Sequence, residues 1–291
     1  MGETNIIKAI INIVNNPIYE IAHYARANNR ANNMGEALEE YVKDIFAGTV
    51  GMGDLTKRNE EISRYFSYLG NQNNPPDSII RGGDAIEVKK IESPNSSLAL
   101  NSSYPKAKLF SGSNMITDAC KKCEEWDEKD IIYVVGVCRD NVLSSISMVY
   151  GSDYAASAEV YERIKTTISR GVNSILDVEF AETNELGRVN RVDPLGITYL
   201  RIRGMWGIQN PHKAFSYIYR PNANMLFNFM AVINTEKYNS FAEIKELEDL
   251  CGSCPQLEIT DVRIKNPNNP AELREAKLVR FSIKELINEN S

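Results

Sequence analysis

The sequence predicts a mixed α/β domain: a central buried sheet flanked by helices, with additional strands in the C-terminal half. Three observations predict it. The amino-terminal third carries apolar residues at helical spacing; the period changes to that of strands after the turn-rich NQNNPPD (71–77); and IIYVVGV (131–137) is a continuous apolar run, as in a strand covered on both faces. Helices followed by strands around a buried sheet give this class. The 291 residues, 43% hydrophobic and 25% charged, can bury one large core, and no stretch resembles a domain linker, so a single domain over 1–291 is expected. Within it, 1–70 form a helical part, 71–150 the core that carries the chemistry, and 184–222 a polar, arginine-rich and aromatic insert.

The elements follow in order. Residues 5–14 and 17–28 have helical spacing, with Pro17 at a helix start. GEALEEYVKDIFAG (35–48) places Leu38, Tyr41, Val42 and Ile45 on one stripe and ends at Gly48, and RNEEISRYFSYLG (58–70) repeats that design. DSIIRGGDAIEVKKI (77–91) reads as two short strands around Gly82-Gly83. A helix over 114–127 precedes the strand at 131–137. Further strands are expected at 144–150, 196–203, 214–220, 225–233, 258–265 and 277–283, with helices over 156–170 and 239–250.

Composition excludes several classes. No apolar run approaches the roughly 18 residues that span a bilayer. The start suits an amphipathic helix better than a cleaved signal, and Ile6 stands where a myristoylation motif needs Ser or Thr. A cytoplasmic, non-membrane protein is expected. Five cysteines do not form a secreted disulfide framework; four make two CxxC pairs, Cys120/Cys123 and Cys251/Cys254, which read as buried thiols or, less simply, as one zinc site. The net charge of −6 argues against a packaging protein for nucleic acid, since non-specific affinity comes from Lys and Arg on phosphates.

The hairpin at 77–91 carries the chemistry. Hydrolysing a phosphodiester with water needs an activated water, charge stabilisation at phosphorus and a neutralised leaving oxygen. Mg²⁺ ions serve all three needs, usually held by only one or two carboxylates. An ammonium beside them orients the water and offsets negative charge. In Glu87-Val88-Lys89 the strand spacing of two puts carboxylate and ammonium on one face, with Ile86, Val88 and Lys90 on the other. The second acid is Asp77 or Asp84. A three-residue loop Gly82-Gly83-Asp84 sets Asp77 opposite Lys89 and on the face of Glu87; a two-residue loop Gly82-Gly83 pairs Asp77 with Val88 instead.

The string PPDSIIRGGDAIEVKKIES (75–93), with GEALEEYVKDIFAG before it, resembles the PD-(D/E)xK nuclease superfamily and more closely the NgoPII-type restriction endonucleases. LALNSSYPKAKL (98–109), WDEKDIIYVVGV (126–137) and ELGRVNRVDPLGITYLRIRGMWGIQNP (185–211) extend the likeness over about residues 5–285. The resemblance implies a PD-(D/E)xK restriction-endonuclease-like core and a homodimeric, Mg²⁺-dependent enzyme cutting a short palindrome in double-stranded DNA, GGCC or a close G/C-rich relative. It also implies a cognate DNA methyltransferase. It assigns Asp77 and Glu87 to the metal, Lys89 to catalysis and Glu39 to the helix glutamate that supports the metal site, where an exposed glutamate on an amphipathic helix is the plain alternative.

A G/C-rich target favours Arg or Lys at guanine O6 and N7. The insert offers Arg188, Arg191, Arg201 and Arg203 beside Gln209 and Asn210; Arg201 and Arg203 share a strand face, where they read bases, bind phosphate or form salt bridges. Ser103, Lys106 and Lys108, just after the catalytic strand, are expected on phosphates. The amino-terminal helices are the expected dimer surface. A cluster-histidine nuclease is disfavoured, because the only histidines are His23 and His212, far apart in the chain. A repair nuclease of the same fold, or an inactive DNA-binding relative, are the competing readings.

Overall fold

The computed structural model describes residues 3–21, 34–71 and 74–284. Asn5 accepts from the N–H groups of Ile7 and Lys8 and starts helix α1 (Ile6–Asn15). Ile6, Ile7, Ile10, Ile11 and Ile13 are all buried, so α1 is a core helix covered on most sides. The helix expected over 17–28 does not begin there. Residues 17–21 run alongside residues 141–143, with Leu143 N–H donating to Tyr19 O at 2.6 Å and Glu20 bridging Val142. Positions 22–28 lie outside the described residues, as does His23.

Helix α2 (Met34–Ala47) buries the predicted stripe of Leu38, Tyr41, Val42 and Ile45. Helix α3 (Leu55–Tyr65), capped by Asp54, stops short of the predicted residue 70 because the aromatic end is taken into the sheet as β1 (Phe66–Tyr68). The Arg81 guanidinium satisfies the stop by donating to the carbonyls of Ser63, Arg64 and Phe66.

The remaining strands are β2 (Ser78–Ile80), β3 (Ala85–Ile91), β4 (Ser97–Asn101), β5 (Lys108–Phe110), β6 (Glu128–Arg139), β7 (Val142–Tyr150), β8 (Gly187–Val189), β9 (Leu200–Ile202), β10 (Trp206–Gln209), β11 (Phe227–Asn234), β12 (Leu257–Asn266) and β13 (Asn269–Ile283). The large sheet runs β1-β2-β3-β6-β7-β11-β13-β12, with β5 on the start of β6. Pairs β3–β6 and β7–β11 are parallel and the others antiparallel. Two ribbons, β4–β10 and β8–β9, stand off it. Helices α4 (Ala158–Asn173) and α5 (Ile244–Ser253) complete the longer elements.

The sheet separates two cores. One face packs on α1, α2 and α5 through Ile86, Val88, Ile132 and Val134; the other carries Ala85, Ile91, Tyr133 and Val135 under the β4–β10 ribbon. This is the mixed α/β architecture with a helix-flanked central sheet that the sequence predicts, consistent with a restriction-endonuclease-like fold. Two expectations fail locally. The helix over 114–127 shrinks to Asp118–Lys121, because Trp126 folds back to donate to Cys120 O. The strand over 214–220 is instead a helical turn, Pro211–Ala214, started by an Asn210 cap and Pro211, with Phe215, Ile218 and Tyr219 at helical spacing. The two CxxC pairs pack on opposite faces of the sheet, so their four thiols cannot share one ion.

Candidate active site

The geometry begins with the β2–β3 hairpin. Its register is Ser78↔Ile86 and Ile79↔Ala85, and Ile80 N–H donates to Asp84 O. The loop therefore has three residues, but they are Arg81-Gly82-Gly83, one place earlier than expected, with Gly82 at φ 67°. Continued outward, this register sets Asp77 against Glu87 rather than Lys89; Asp77 N–H donates to Ile86 O at 3.0 Å. The even offset is preserved, so Asp77 still falls on the face of Glu87 and Lys89.

On that face the Lys89 Nζ lies 2.6 Å from Glu87 Oε1 and 3.9 Å from Asp77 Oδ2. Asp77 Oδ2 also accepts from Val88 N–H at 2.6 Å, which fixes the carboxylate. Burial, then the nearby Glu87 carboxylate, push the Asp77 carboxyl up to about 7, against the pull of Lys89. Burial alone lowers an ammonium, yet Glu87 and Asp77 outweigh it and hold Lys89 above its ordinary value. Glu39 reaches the cluster from α2: it is half-buried, burial raises its pKa, and its charge acts on both Lys89 and Asp77.

Asp84, the other candidate acid, is elsewhere. It accepts from Tyr150 OH at 2.7 Å and pairs with Lys237 at 2.9 Å, and Lys237 also holds Asp130 at 2.7 Å. This half-buried lysine clamp fastens the starts of β3 and β6.

The cluster fits a divalent cation. Two carboxylates share one face, and the Glu87 Oε2 is buried without a hydrogen-bond partner among the described residues. The mutual repulsion that lifts Asp77 is what a dication relieves. Among the described residues no three His, Cys, Asp or Glu side chains form a metal cage, so the donor set suits an ion that keeps waters rather than a closed zinc site.

The expected DNA contacts divide into four groups. Arg201 and Arg203 do share a face, and both pair with Glu185 there. Arg188 stacks 5.2 Å from the Tyr199 ring and donates to Asn190, while Arg191 and Gln209 are exposed. Asn210 is a correction: it is fully buried, donates to Pro94 O and Ser96 O and caps Pro211–Ala214, so its amide is not presented to a base. Ser103 and Lys106 bond to one another at 2.5 Å, and Lys106 is buried, within the electrostatic influence of Glu87, rather than spread on the surface.

Sequence reasoning missed Tyr133. It is the β6 partner of Glu87, and its hydroxyl accepts from Lys106 N–H at 2.7 Å. The signal was a lone polar aromatic within IIYVVGV. Also missed was an aromatic cluster of Tyr104, Tyr161 and Trp206, with Tyr104 and Tyr161 stacked at 5.4 Å, which joins α4 and the insert to the segment after β4. The amino-terminal helices α1 and α2 turn their apolar stripes to the core, so those stripes are not free for a dimer contact; α4 leaves Val160, Ile164 and Ile168 outward. No helix among the described residues is long and apolar enough to cross a membrane.

The family model described as NgoPII restriction endonuclease matches residues 4–265. The type II restriction enzyme NgoPII of Neisseria gonorrhoeae is 55% identical over 280 residues, covering 96% of this chain and 100% of that protein. No solved structure matches. The chain therefore belongs to the NgoPII restriction endonuclease family.

Proposed function

We propose that this type II restriction endonuclease cuts double-stranded DNA at a short palindromic G/C-rich site, GGCC or a close relative, by Mg²⁺-assisted attack of water. The observation that carries the reading is the joint placement of Asp77, Glu87 and Lys89, with the buried Glu87 Oε2 lacking a partner among the described residues. Asp77 and Glu87 hold the ion, and Glu39 biases their charge from α2. Bound there, Mg²⁺ supplies Lewis-acid stabilisation at phosphorus and a more acidic water. The Lys89 ammonium, restrained by Glu87, orients the attacking water and offsets charge as the water oxygen bonds to phosphorus and the bond to the leaving oxygen breaks. Arg188, Arg191, Arg201, Arg203 and Gln209 of the insert contact the DNA. A palindrome is read by a twofold homodimer with one centre per subunit. The enzyme works in the cytoplasm beside a cognate DNA methyltransferase.

The test is digestion of unmethylated phage DNA with and without Mg²⁺, wild type against Lys89→Ala. Discrete Mg²⁺-dependent fragments, reduced at least about 10³-fold in the variant, are expected, and sequencing their ends gives the target. Intact DNA across several divalent metals and methylation states would refute the catalytic reading.

A further inference from the structure

A buried ammonium is costly unless an opposite charge replaces its hydration. Two lysines, Lys106 and Lys129, are buried among the described residues, each 8% exposed. Lys129 has its answer in Glu124 and Gly83 O. Lys106 pairs with no described carboxylate: its Nζ donates to Ser103 Oγ at 2.5 Å and lies 5.5 Å from the Tyr104 ring.

Its position is imposed by the backbone. Lys106 N–H donates to the hydroxyl of Tyr133, the strand neighbour of Glu87. On the other side Gly151 packs against the carbonyls of Lys106 and Ala107, and a Cβ there would stand 2.7 Å from Ala107 O and closer to Lys106 O. These two restraints fix the backbone from which the side chain projects, and the bond to Ser103 Oγ holds the ammonium. Burial and the Lys89 charge lower its pKa to about 8, while Glu87 pulls the other way, so all three groups share one electrostatic environment.

We propose that the buried Lys106 ammonium binds the scissile phosphate beside Lys89, so that DNA supplies the counter-charge that the folded chain withholds. The proposal rests on the nuclease reading above. A lysine with a purely structural role stabilises the fold. One kept unpaired for a ligand destabilises it, and its removal separates stability from activity.

The experiment compares wild type, Lys106→Met and Lys106→Arg. It measures thermal unfolding without DNA, single-turnover cleavage of a duplex bearing the site mapped with wild type, and metal-free binding of that duplex. The duplex carries either phosphate or neutral methylphosphonate at the scissile position. The Met variant should melt at or above wild type, cleave more slowly, and bind the phosphate duplex about tenfold more weakly, as for a lost charge-assisted hydrogen bond. It should bind the methylphosphonate duplex as wild type does, and arginine should recover part of the loss. A Met variant that unfolds or melts lower assigns the ammonium to the fold; wild-type cleavage places the phosphate elsewhere; equal losses on both duplexes place Lys106 on another phosphate. Each overturns the proposal. A wild type that cuts no DNA at all refutes the nuclease reading itself.

Discussion

Replacing Asp77 by Asn should stabilise the metal-free protein at neutral pH while abolishing cutting. The Asp77 side chain is 17% exposed, and its carboxyl is moved from 3.8 to about 7 by burial and by Glu87. At about 1.36 kcal/mol per pH unit, that displacement is a penalty of about 4 kcal/mol on the ionised form. Burying the replacement amide costs part of this, so removing the carboxylate should return about 2 to 4 kcal/mol. The amide oxygen of Asn still accepts from Val88 N–H, so the hairpin loses no essential bond. The sign follows from proton linkage. The folded-state pKa lies above the unfolded one, so the wild type loses stability as pH rises from about 4 to about 7. The variant should have no such slope from this group. Urea unfolding of both proteins in chelator should give the largest gap at about pH 8, falling towards zero near pH 4. Mg²⁺ should narrow the gap by stabilising only the wild type. A metal-free Asn variant less stable than wild type at pH 8 would refute the reasoning.

Three further outcomes are expected. Lys237→Met strands the buried Asp84 carboxylate and the half-buried Asp130 and should cost about 3 kcal/mol in urea unfolding. Gly151→Ala drives a methyl group into the Lys106 and Ala107 carbonyls and should cost about 2 kcal/mol by chemical denaturation, with slower single-turnover cleavage. Glu185→Gln releases Arg201 and Arg203; DNA binding should tighten, and its log–log salt slope, measured by titration at several ionic strengths, should steepen by about one to two.

Much of this arrangement is legible in the chain because periodicity reports burial directly. Leu38, Tyr41, Val42 and Ile45 face the core as their spacing requires, and the Glu87/Lys89 alternation survives because strand side chains alternate whatever the hairpin register. That same parity explains why a loop displaced by one residue still leaves Asp77 on the right face. Hidden from the sequence were effects set by distant partners. Arg81 and the sheet edge cut α3 short, and the edge of β7 drew residues 17–21 alongside it. Asn210 looked like a base reader because an amide suits either a base edge or backbone carbonyls; Pro94 and Ser96, more than a hundred residues away, decide between them. Lys106 was placed on phosphate but not in the centre, since only Tyr133 and Gly151 draw it there.

Strands β7 and β11 are parallel neighbours in the sheet, yet the chain between them runs from residue 151 to residue 226 and carries α4, both strands of the β8–β9 ribbon and β10. A parallel connection must cross over in any case, so this excursion leaves and re-enters the sheet without disturbing a ladder. Its ends are fixed while its middle is free to change length and charge, at a loop-closure entropy that grows only logarithmically. Because β10 is stitched to β4, directly downstream of the catalytic strand, a rebuilt excursion would still be delivered to the same edge of the cutting centre. On the role proposed above for the insert, this architecture would let target choice diversify between Gly151 and Phe227 while the β2–β3 hairpin stays untouched.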